Sequence, residues 1–264
     1  MAPLPATDDH ALAAAVAGAA GELLVELRAA GPGGSGGSGD GFGGFGPAEQ
    51  LRAAGDARAH TFILDRLHDA RPGDAVLSEE GADDLGRLDA DRVWVVDPLD
   101  GTREFGEAGR TDWAVHVALV AGGALVAGAV ALPARELVLG TRPAPPTPAP
   151  RGDGLRVVTS RTRRPWAASA VAAALGAELV PLGSAGAKAM AVVLGEADAY
   201  AHAGGMYEWD SAAPVAVAAA AGLHVSRVDG SPLVYNQPDP WLPDLLVCRP
   251  ELAVTCLEAL AAAG

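Results

Sequence analysis

The stretch VVDPLDGTREF, residues 95–105, carries the clearest functional pattern in the chain. The apolar residues 93–96 predict a buried strand, which delivers Asp97 at its end. Pro98 has no backbone N–H, so the strand is expected to stop there and the chain to turn. Asp100 follows three residues after Asp97, and the turn lets both carboxylates converge on one spot.

The residues after Asp100 suit a phosphate bound next to these carboxylates. Gly101 permits a tight turn, and Thr102 begins a predicted helix whose first N–H groups can hold a phosphate. Carboxylates without His or Cys are the hard oxygen ligands that Mg²⁺ takes, and two of them can hold a pair of metal ions. Taken alone, the same pattern also fits an ordinary capped turn, because Asp and Gly are common turn residues.

Two further acidic clusters lie at the ends of predicted elements. The SEE triplet at 78–80 follows a short predicted strand over 76–77. The EWD triplet at 208–210 follows a glycine pair and precedes a helix of small residues. On its own, Asp210 is expected to be a simple helix N-cap. Together the three clusters favour one shared metal site over three unrelated turns.

The composition is that of a folded globular protein, and the charge argues against one class of partner. Hydrophobic residues make up 50% and charged residues 20% of the 264 residues. A formal net charge of −14, without a basic stripe, argues against a nucleic-acid surface. No secretory signal is expected, because no basic segment followed by an apolar segment stands at the N-terminus. The apolar run 113–133 is broken by His116 and a glycine pair, so no membrane span is expected either. Cys248 and Cys256 lack CxxC spacing and are expected to be buried free thiols in a reducing bacterial cytoplasm.

The order of predicted elements indicates two halves. The first half, residues 1–140, is expected to be α+β, with helices over 8–30 and 48–70, a glycine-rich connecting loop over 31–46, and strands over 76–77, 93–96, 112–121, 124–132 and 135–140. A proline-rich linker over 141–154 follows. The second half, residues 155–264, alternates strands and helices, with strands over 155–159, 178–181 and 197–201, helices over 165–175, 184–195 and 210–221, and a terminal strand and helix. This alternation predicts a layered α/β half.

The ordered motifs SEE, DPLDGTREF and EWDSAA resemble those of the inositol monophosphatase superfamily, from about residue 8 to the C-terminus. LSEE, GRTDWAVH, GSAGAKAMAV, LVYNQ and LPDLL are similar to its CysQ branch in actinobacteria. The resemblance implies an α/β fold, the layered αβαβα sandwich of the inositol monophosphatase/fructose-1,6-bisphosphatase type. It also implies an Mg²⁺-dependent, lithium-sensitive phosphatase that hydrolyses the 3′-phosphate of 3′-phosphoadenosine 5′-phosphate by attack of a metal-activated water.

The resemblance further implies two or three magnesium ions and a role for each ligand. The first ion would bind Glu79, Asp97 and the Leu99 carbonyl, and the second would bind Asp97, Asp100 and Asp210. Glu79 would also touch a third, weakly held ion. Thr102, paired with Asp56, would orient and help deprotonate the water, so the implied catalytic residues are Asp56, Glu79, Asp97 and Thr102.

The phosphate would be held by the amides of Gly101 and Thr102. One departure from the family pattern concerns the segment GFGPAEQLRAAGD at 44–56, which keeps Asp56 but lacks the usual lysine and Ser-Pro. The loop that closes over the third metal ion is therefore in doubt.

Candidate substrate contacts lie mostly in the second half: Ser160, Arg161, Gly183, Ser184, Lys188 and His202. Lys188, the single lysine of the chain, could contact a phosphate or be an exposed helix residue. Ser160 and Arg161 could bind a second phosphate or cap a helix, and His202 could be structural. Tyr235 could stack on adenine or belong to the core.

Three functions remain open at this point. The first is the nucleotide phosphatase, which could also accept the sulfated nucleotide and so act in sulfate assimilation. The second is hydrolysis of inositol phosphate or fructose 1,6-bisphosphate, because the metal motifs do not separate these substrates. The third is a non-catalytic regulator that binds magnesium or nucleotide. The expected partner is a small phosphorylated nucleotide, with no nucleic acid and no membrane, and a homodimer is compatible with the sequence.

Overall fold

A computed structural model describes residues 8–31, 46–150, 152–163 and 166–264. The glycine-rich connecting loop predicted over 31–46 lies outside these residues apart from its two end glycines. The described helices are α1 (Asp9–Ala30), α2 (Pro47–Ala70), α3 (Thr102–Phe105), α4 (Trp166–Leu175), α5 (Ala185–Val193), α6 (Glu208–Ala220) and α7 (Ala253–Ala263). The described strands are β1 (Ala75–Ser78), β2 (Arg92–Asp100), β3 (Ala114–Ala121), β4 (Ala124–Leu132), β5 (Leu137–Gly140), β6 (Arg156–Ser160), β7 (Glu178–Leu182), β8 (Ala199–Tyr207), β9 (His224–Ser226) and β10 (Trp241–Cys248).

The strands form two five-stranded sheets that do not share a strand. The first sheet has the order β1-β2-β3-β4-β5, in which β1 and β2 are parallel and the other pairs are antiparallel. The second sheet has the order β7-β6-β8-β10-β9, in which β6 is parallel to both of its neighbours and β10 is antiparallel to both of its own.

The elements stack in five layers. Helices α1 and α2 cover one face of the first sheet, and α5 and α6 fill the space between the two sheets. Helices α4 and α7 cover the outer face of the second sheet. Each sheet therefore buries both of its faces, which explains the nearly continuous apolar runs in β2, β3 and β4. The architecture is an αβαβα sandwich, as the sequence predicted.

The central helices and the two inner sheet faces share one hydrophobic core. Val93 and Val130 of the first sheet belong to the same buried cluster as Val158 and Tyr200 of the second. The first sheet lies wholly before residue 141 and the second wholly after residue 154. The division into two subdomains stays a prediction.

Helix α1 shows why an apolar helix can be a core element. Among the described residues it alone has the length and hydropathy to cross a membrane, but 44% of its most apolar window is buried inside the protein. Its small residues Ala13, Ala17 and Ala20 are fully buried, and the helix packs on β3 and β4. Asp8 caps its N-terminus by accepting a hydrogen bond from the Ala11 amide.

The largest differences from expectation concern β2, β8 and β9. Strand β2 does not stop before Pro98 but continues to Asp100, and its pairing with β3 is irregular between Asp97 and Asp100. The missing N–H of Pro98 therefore falls where no ladder bond is required. Strand β8 runs to Tyr207 through two positive-φ glycines, and the short strand β9 was not anticipated. The prediction of buried free thiols is confirmed for Cys248 and Cys256.

Candidate metal centre and active site

Asp97 and Asp100 end β2, and the irregular pairing there lets them act together. In a regular strand, residues three apart point to opposite faces, whereas a local register shift redirects one of them. Asp97 is 1% exposed, and its Oδ1 accepts a hydrogen bond of 3.0 Å from the Leu99 amide. Its Oδ2 is buried and has no hydrogen-bond partner among the described residues.

The third carboxylate comes from the other half of the chain. Asp210 lies in the first turn of α6, where its Oδ2 accepts a 2.6 Å hydrogen bond from the Tyr207 amide. The N-cap residue is therefore Tyr207, and not Asp210 as the simple interpretation of the sequence expected; Asp210 is the third residue of the helix and closes a capping box. It also offers an oxygen that lies within 4.8 Å of oxygens of Asp97 and Asp100. The structure thus brings together three of the predicted metal ligands.

Glu79 lies beside this cluster because β1 is parallel to β2. Ser78 pairs with Val96, and the next amide, that of Glu79, donates to the Val96 carbonyl. Burial, followed by the charge of Asp210, raises the pKa of Glu79 to about 7. Burial and the charge of Glu79 raise the pKa of Asp97 well above its usual range. Burial and the charge of Asp100 raise the pKa of Asp210 to about 6.

These features fit a bound cation. Several carboxylates share a buried space, their mutual repulsion favours protonation, and one buried oxygen of Asp97 lacks a partner. A divalent cation would offset the repulsion between the carboxylates, and the unpaired oxygen of Asp97 would be one of its ligands. The donor set contains oxygen only, which suits Mg²⁺ better than a metal that prefers nitrogen or sulfur.

Asp56 and Thr102, predicted to act as a pair, lie next to each other. The Thr102 hydroxyl is 3.2 Å from Asp56 Oδ1 and 3.0 Å from the Leu99 carbonyl oxygen. Burial, followed by the charge of Glu80, raises the pKa of Asp56 to about 7. The hydroxyl is thus placed between a carboxyl group and the loop that carries the metal ligands.

Gly55 makes this pairing possible. A Cβ at this position would lie 2.8 Å from Phe105 Cε1 and 2.9 Å from Leu99 Cδ2. Helix α2 can therefore approach the end of β2 closely only with glycine here. Sequence analysis did not identify Gly55, since a glycine inside a helix carries no mark of what it packs against.

Asp100 is held by the first turn of α5, which belongs to the second half. Its carboxylate accepts hydrogen bonds from the Ser184 hydroxyl, the Ala185 amide at 3.1 Å and the Gly186 amide at 2.6 Å. His116 Nε2 lies 3.3 Å from Asp100 Oδ2. Burial opposes ionisation, but the close contact and charge of His116, then the charge of Lys188, hold the pKa of Asp100 at about 2.

His116 was not predicted as a site residue. Its Nδ1 lies 3.0 Å from the Trp209 carbonyl oxygen, so the ring spans from α6 to Asp100. The ring is completely buried, and its contacts with Asp100 outweigh the effect of burial and raise the pKa of His116. The signal available in the sequence was a histidine inside an otherwise apolar strand.

A cavity of about 290 Å³ opens beside the carboxylates. Asp100 and Asp210 lie on one side, and β6, α5 and β8 provide the other walls. The polar and aromatic lining residues of these walls are Ser160, Thr162, Arg163, Ser184, Lys188, Tyr200, His202 and Tyr207. Three larger cavities among the described residues, of about 750, 600 and 320 Å³, are lined by none of the predicted metal ligands, and the first two lie along α1.

The predicted substrate contacts divide into two groups. Ser160, Ser184, Lys188 and His202 line the cavity. Arg161 does not, because its guanidinium is paired with Glu104 and Glu107. Gly183 lies behind the wall, where its amide donates to Asp112. Tyr235 is a core residue whose hydroxyl lies 3.2 Å from that of Ser211.

Among the polar and aromatic cavity residues, the sequence analysis missed Thr162, Arg163, Tyr200 and Tyr207. Arg163 lies two residues after Arg161, and the predicted end of β6 did not indicate which of the two arginines would line the cavity. Tyr207 is 45% exposed and stacks on Trp209, with ring centroids 4.7 Å apart. Its place at the end of β8 became visible only because that strand runs further than predicted.

Comparisons with known proteins identify the family of the chain. Residues 9–259 match the model of the inositol monophosphatase family. The chain is 54% identical to a 3′-phosphoadenosine 5′-phosphate phosphatase of Mycobacterium bovis over 219 residues, which cover 80% of this chain and 82% of the relative. It is 51% identical to a protein of the same name from Mycobacterium leprae, with 96% and 93% covered. The crystal structure of CysQ from Bacteroides thetaiotaomicron superimposes with a TM-score of 0.74 at 27% identity, covering 91% of this chain and 97% of that one. The chain therefore belongs to the inositol monophosphatase family.

Proposed function

We propose that the protein is a magnesium-dependent phosphomonoesterase that hydrolyses the 3′-phosphate of 3′-phosphoadenosine 5′-phosphate, giving AMP and phosphate. The observation that carries the proposal is the cluster of Asp97, Asp100 and Asp210, which opens on a cavity lined by cationic side chains. The names of the mycobacterial relatives support the choice of substrate. The sulfated form of the nucleotide has the same 3′-phosphate and is a second expected substrate, which would link the enzyme to sulfate assimilation in the cytoplasm.

Two or three magnesium ions would be held by oxygen ligands at the end of β2 and around it. The residues that would hold them are Glu79, Asp97, Asp100, Asp210 and the carbonyl of Leu99. When bound, Mg²⁺ stabilises the negative charge of the transferring phosphoryl group and acidifies the attacking water. Lithium is expected to inhibit by competing for the weakest of these positions.

The residues of the chain itself would orient the reactants and move one proton. The Thr102 hydroxyl, next to Asp56, is placed to hold the attacking water and pass its proton to the carboxyl group. The amides of Gly101 and Thr102 would donate to the phosphate oxygens. Gly101 has φ of 86°, a conformation that an L side chain rarely adopts, so this loop shape depends on glycine.

Recognition of the nucleotide would take place in the cavity of the second half. Arg163, Ser160 and His202 line it and face the carboxylates across a space of about 290 Å³. A 5′-phosphate distinguishes the nucleotide from a simple sugar phosphate, and an arginine is well suited to bind it with paired hydrogen bonds.

A substrate comparison tests the proposal. The kcat/KM values of the purified protein are measured with Mg²⁺ on 3′-phosphoadenosine 5′-phosphate, inositol 1-phosphate and fructose 1,6-bisphosphate. The nucleotide is expected to be the best substrate by at least tenfold, and EDTA is expected to abolish turnover. A higher value on inositol phosphate or fructose bisphosphate would overturn the substrate assignment. Absence of turnover on all three would favour the non-catalytic regulator.

A further inference from the structure

The two oxygens of Asp100 have unequal surroundings. Oδ2 accepts from the Ser184 hydroxyl and the Gly186 amide, and it also faces His116 Nε2 at 3.3 Å. Oδ1 accepts a single hydrogen bond, from the Ala185 amide at 3.1 Å. A carboxylate oxygen has about two lone pairs. Oδ2 is therefore fully occupied, and Oδ1 is the oxygen with a lone pair left for a cation.

The turn that supplies these donors is held in an uncommon conformation. Ser184 has φ of 43° and ψ of 136°, which a residue with a side chain rarely adopts. Lys188 stabilises this conformation, because its Nζ donates to the Gly183 carbonyl at 3.0 Å and to the Ser184 carbonyl at 2.5 Å. The lysine is 6% exposed, so these contacts are made in a poorly hydrated place where they count for more.

The absence of a side chain at position 186 completes the arrangement. A Cβ on Gly186 would lie 2.0 Å from His116 Nε2. The imidazole can therefore reach Asp100 only if this position is glycine. His116 is in turn fixed at its other nitrogen by the Trp209 carbonyl, one residue before the metal-ligand candidate Asp210.

We propose that the turn 183–186, together with Lys188 and His116, is a positioning device that fixes which oxygen Asp100 presents to the metal. Ser184 and Lys188 thereby act on the metal site through Asp100, and not through contacts with the substrate. The inference rests on the proposed metal-dependent function.

Calorimetric titration of the metal-free protein with MgCl₂ tests the role of Ser184. Ser184→Ala and Ser184→Gly both remove the hydroxyl, while Gly also relieves the backbone strain. Both are expected to weaken Mg²⁺ binding roughly 10- to 100-fold, the usual effect of removing a partner of a metal ligand. At saturating Mg²⁺, the KM for the nucleotide is expected to stay within threefold of wild type. A change in Mg²⁺ affinity below threefold, or a rise in KM larger than the loss of affinity, would overturn the proposal.

A matched control separates positioning from loss of a helix cap. The Ser184 hydroxyl also accepts a hydrogen bond from the Ala187 amide and so caps α5. Asp8→Ala removes the corresponding cap of α1, away from the carboxylates. This variant is expected to lose a comparable amount of thermal stability and to keep the Mg²⁺ affinity of wild type. An equal loss of Mg²⁺ affinity in Asp8→Ala would assign the effect to general destabilisation.

Lys188→Met removes the two carbonyl contacts and keeps the length of the side chain. If Lys188 positions Asp100, the variant weakens Mg²⁺ binding and lowers kcat/KM on the nucleotide and on inositol phosphate alike. A loss of kcat/KM on the nucleotide only, with Mg²⁺ affinity unchanged, would identify Lys188 as a contact to the distal phosphate. That result would overturn the proposal for this residue. The titration uses no substrate, so a protein that binds Mg²⁺ as expected but hydrolyses none of the phosphates would refute the proposed function alone.

Discussion

At the scale of single residues, Asp97 shows how a metal ligand can be recognised before any metal is seen. One of its oxygens accepts from the Leu99 amide, and the other is buried without a partner among the described residues. Leaving a buried carboxyl oxygen without a hydrogen bond is costly in free energy, so such an atom fits a place where a cation binds.

Asp97→Asn is expected to reduce kcat to less than a tenth of the wild-type value. The amide has the shape of the carboxylate but lacks its charge, and Asp97 is the residue proposed to contact two cations. The control is Asp91→Asn, which removes an exposed aspartate just before the same strand. Retention of more than a tenth of wild-type kcat by Asp97→Asn, measured with saturating Mg²⁺, would contradict the metal assignment.

Two nearby arginines provide a paired test of nucleotide recognition. Arg163 lines the cavity, whereas Arg161 is paired with Glu104 and Glu107. Arg163→Ala is expected to lower kcat/KM on the bisphosphorylated nucleotide. The corresponding loss of transition-state stabilisation is about 1.5–3 kcal/mol, the range for a hydrogen bond to a charged group. The variant should leave kcat/KM on inositol phosphate unchanged, because that substrate has no distal phosphate. Arg161→Ala serves as the matched control, and equal losses in both variants would show that Arg163 does not read this phosphate.

The residues that the sequence identified and those that it missed differ in a physical way. Asp97, Asp100 and Asp210 belong to short motifs whose residue types and spacing already suit a cation. Gly186 and His116 lie in segments that resemble the CysQ branch, but their contact with each other depends on where distant elements bring them. Their roles follow from packing between the two halves, which spacing along the chain does not encode.

At the scale of elements, the approach of α2 to β2 decides whether Asp56 can reach Thr102. The boundaries of most helices and strands followed from apolar periodicity and from the positions of Gly and Pro. The continuation of β2 beyond Pro98 did not, because a proline is tolerated where the partner strand leaves a gap in the ladder. Apolar periodicity and the positions of Gly and Pro predicted which helices and strands form. The residue at which a strand such as β2 ends depends on its pairing with the neighbouring strand.

Gly55→Ala is expected to destabilise the protein by about 1–3 kcal/mol, the usual range for overpacking a core. It should also lower kcat, because the added methyl group would push Asp56 away from the Thr102 hydroxyl. Gly73→Ala is the matched control, since nothing lies within 4 Å of a Cβ at that position. Thermal unfolding and steady-state kinetics measure the two effects, and a wild-type kcat in Gly55→Ala would argue against proton transfer to Asp56.

At the scale of the whole molecule, the carboxylate cluster links stability to pH and to metal. The raised pKa values of Glu79 and Asp210, about 7 and 6, mean that the metal-free folded protein holds protons that the unfolded chain releases near pH 4. The free energy of unfolding therefore falls as pH rises from about 4 to 7 through these groups. The lowered pKa of Asp100 makes the free energy of unfolding rise with pH, but only below about pH 4.

Mg²⁺ is expected to raise the melting temperature more at pH 8 than at pH 5.5. At pH 8 the carboxylates are charged and repel one another, so they bind the cation without first losing protons. Melting curves with MgCl₂ or EDTA, at matched ionic strength, measure the difference. Equal stabilisation at the two pH values would show that these carboxylates do not form the binding site.

The metal ligands at the end of β2 and the cavity walls from β6, α5 and β8 come from different parts of the chain, and this separation bears on how the family can diversify. Mutations in the walls from β6 and β8, which hold no candidate metal ligand, can alter which molecule is accepted while the metal ligands stay intact. A gene that has been duplicated can therefore explore new substrates without passing through an inactive ancestor. Chimaeras that join the first half of one paralogue to the second half of another should inherit the substrate choice of the second, provided that its turn 183–186 and its Asp210 fit the carboxylates of the first half.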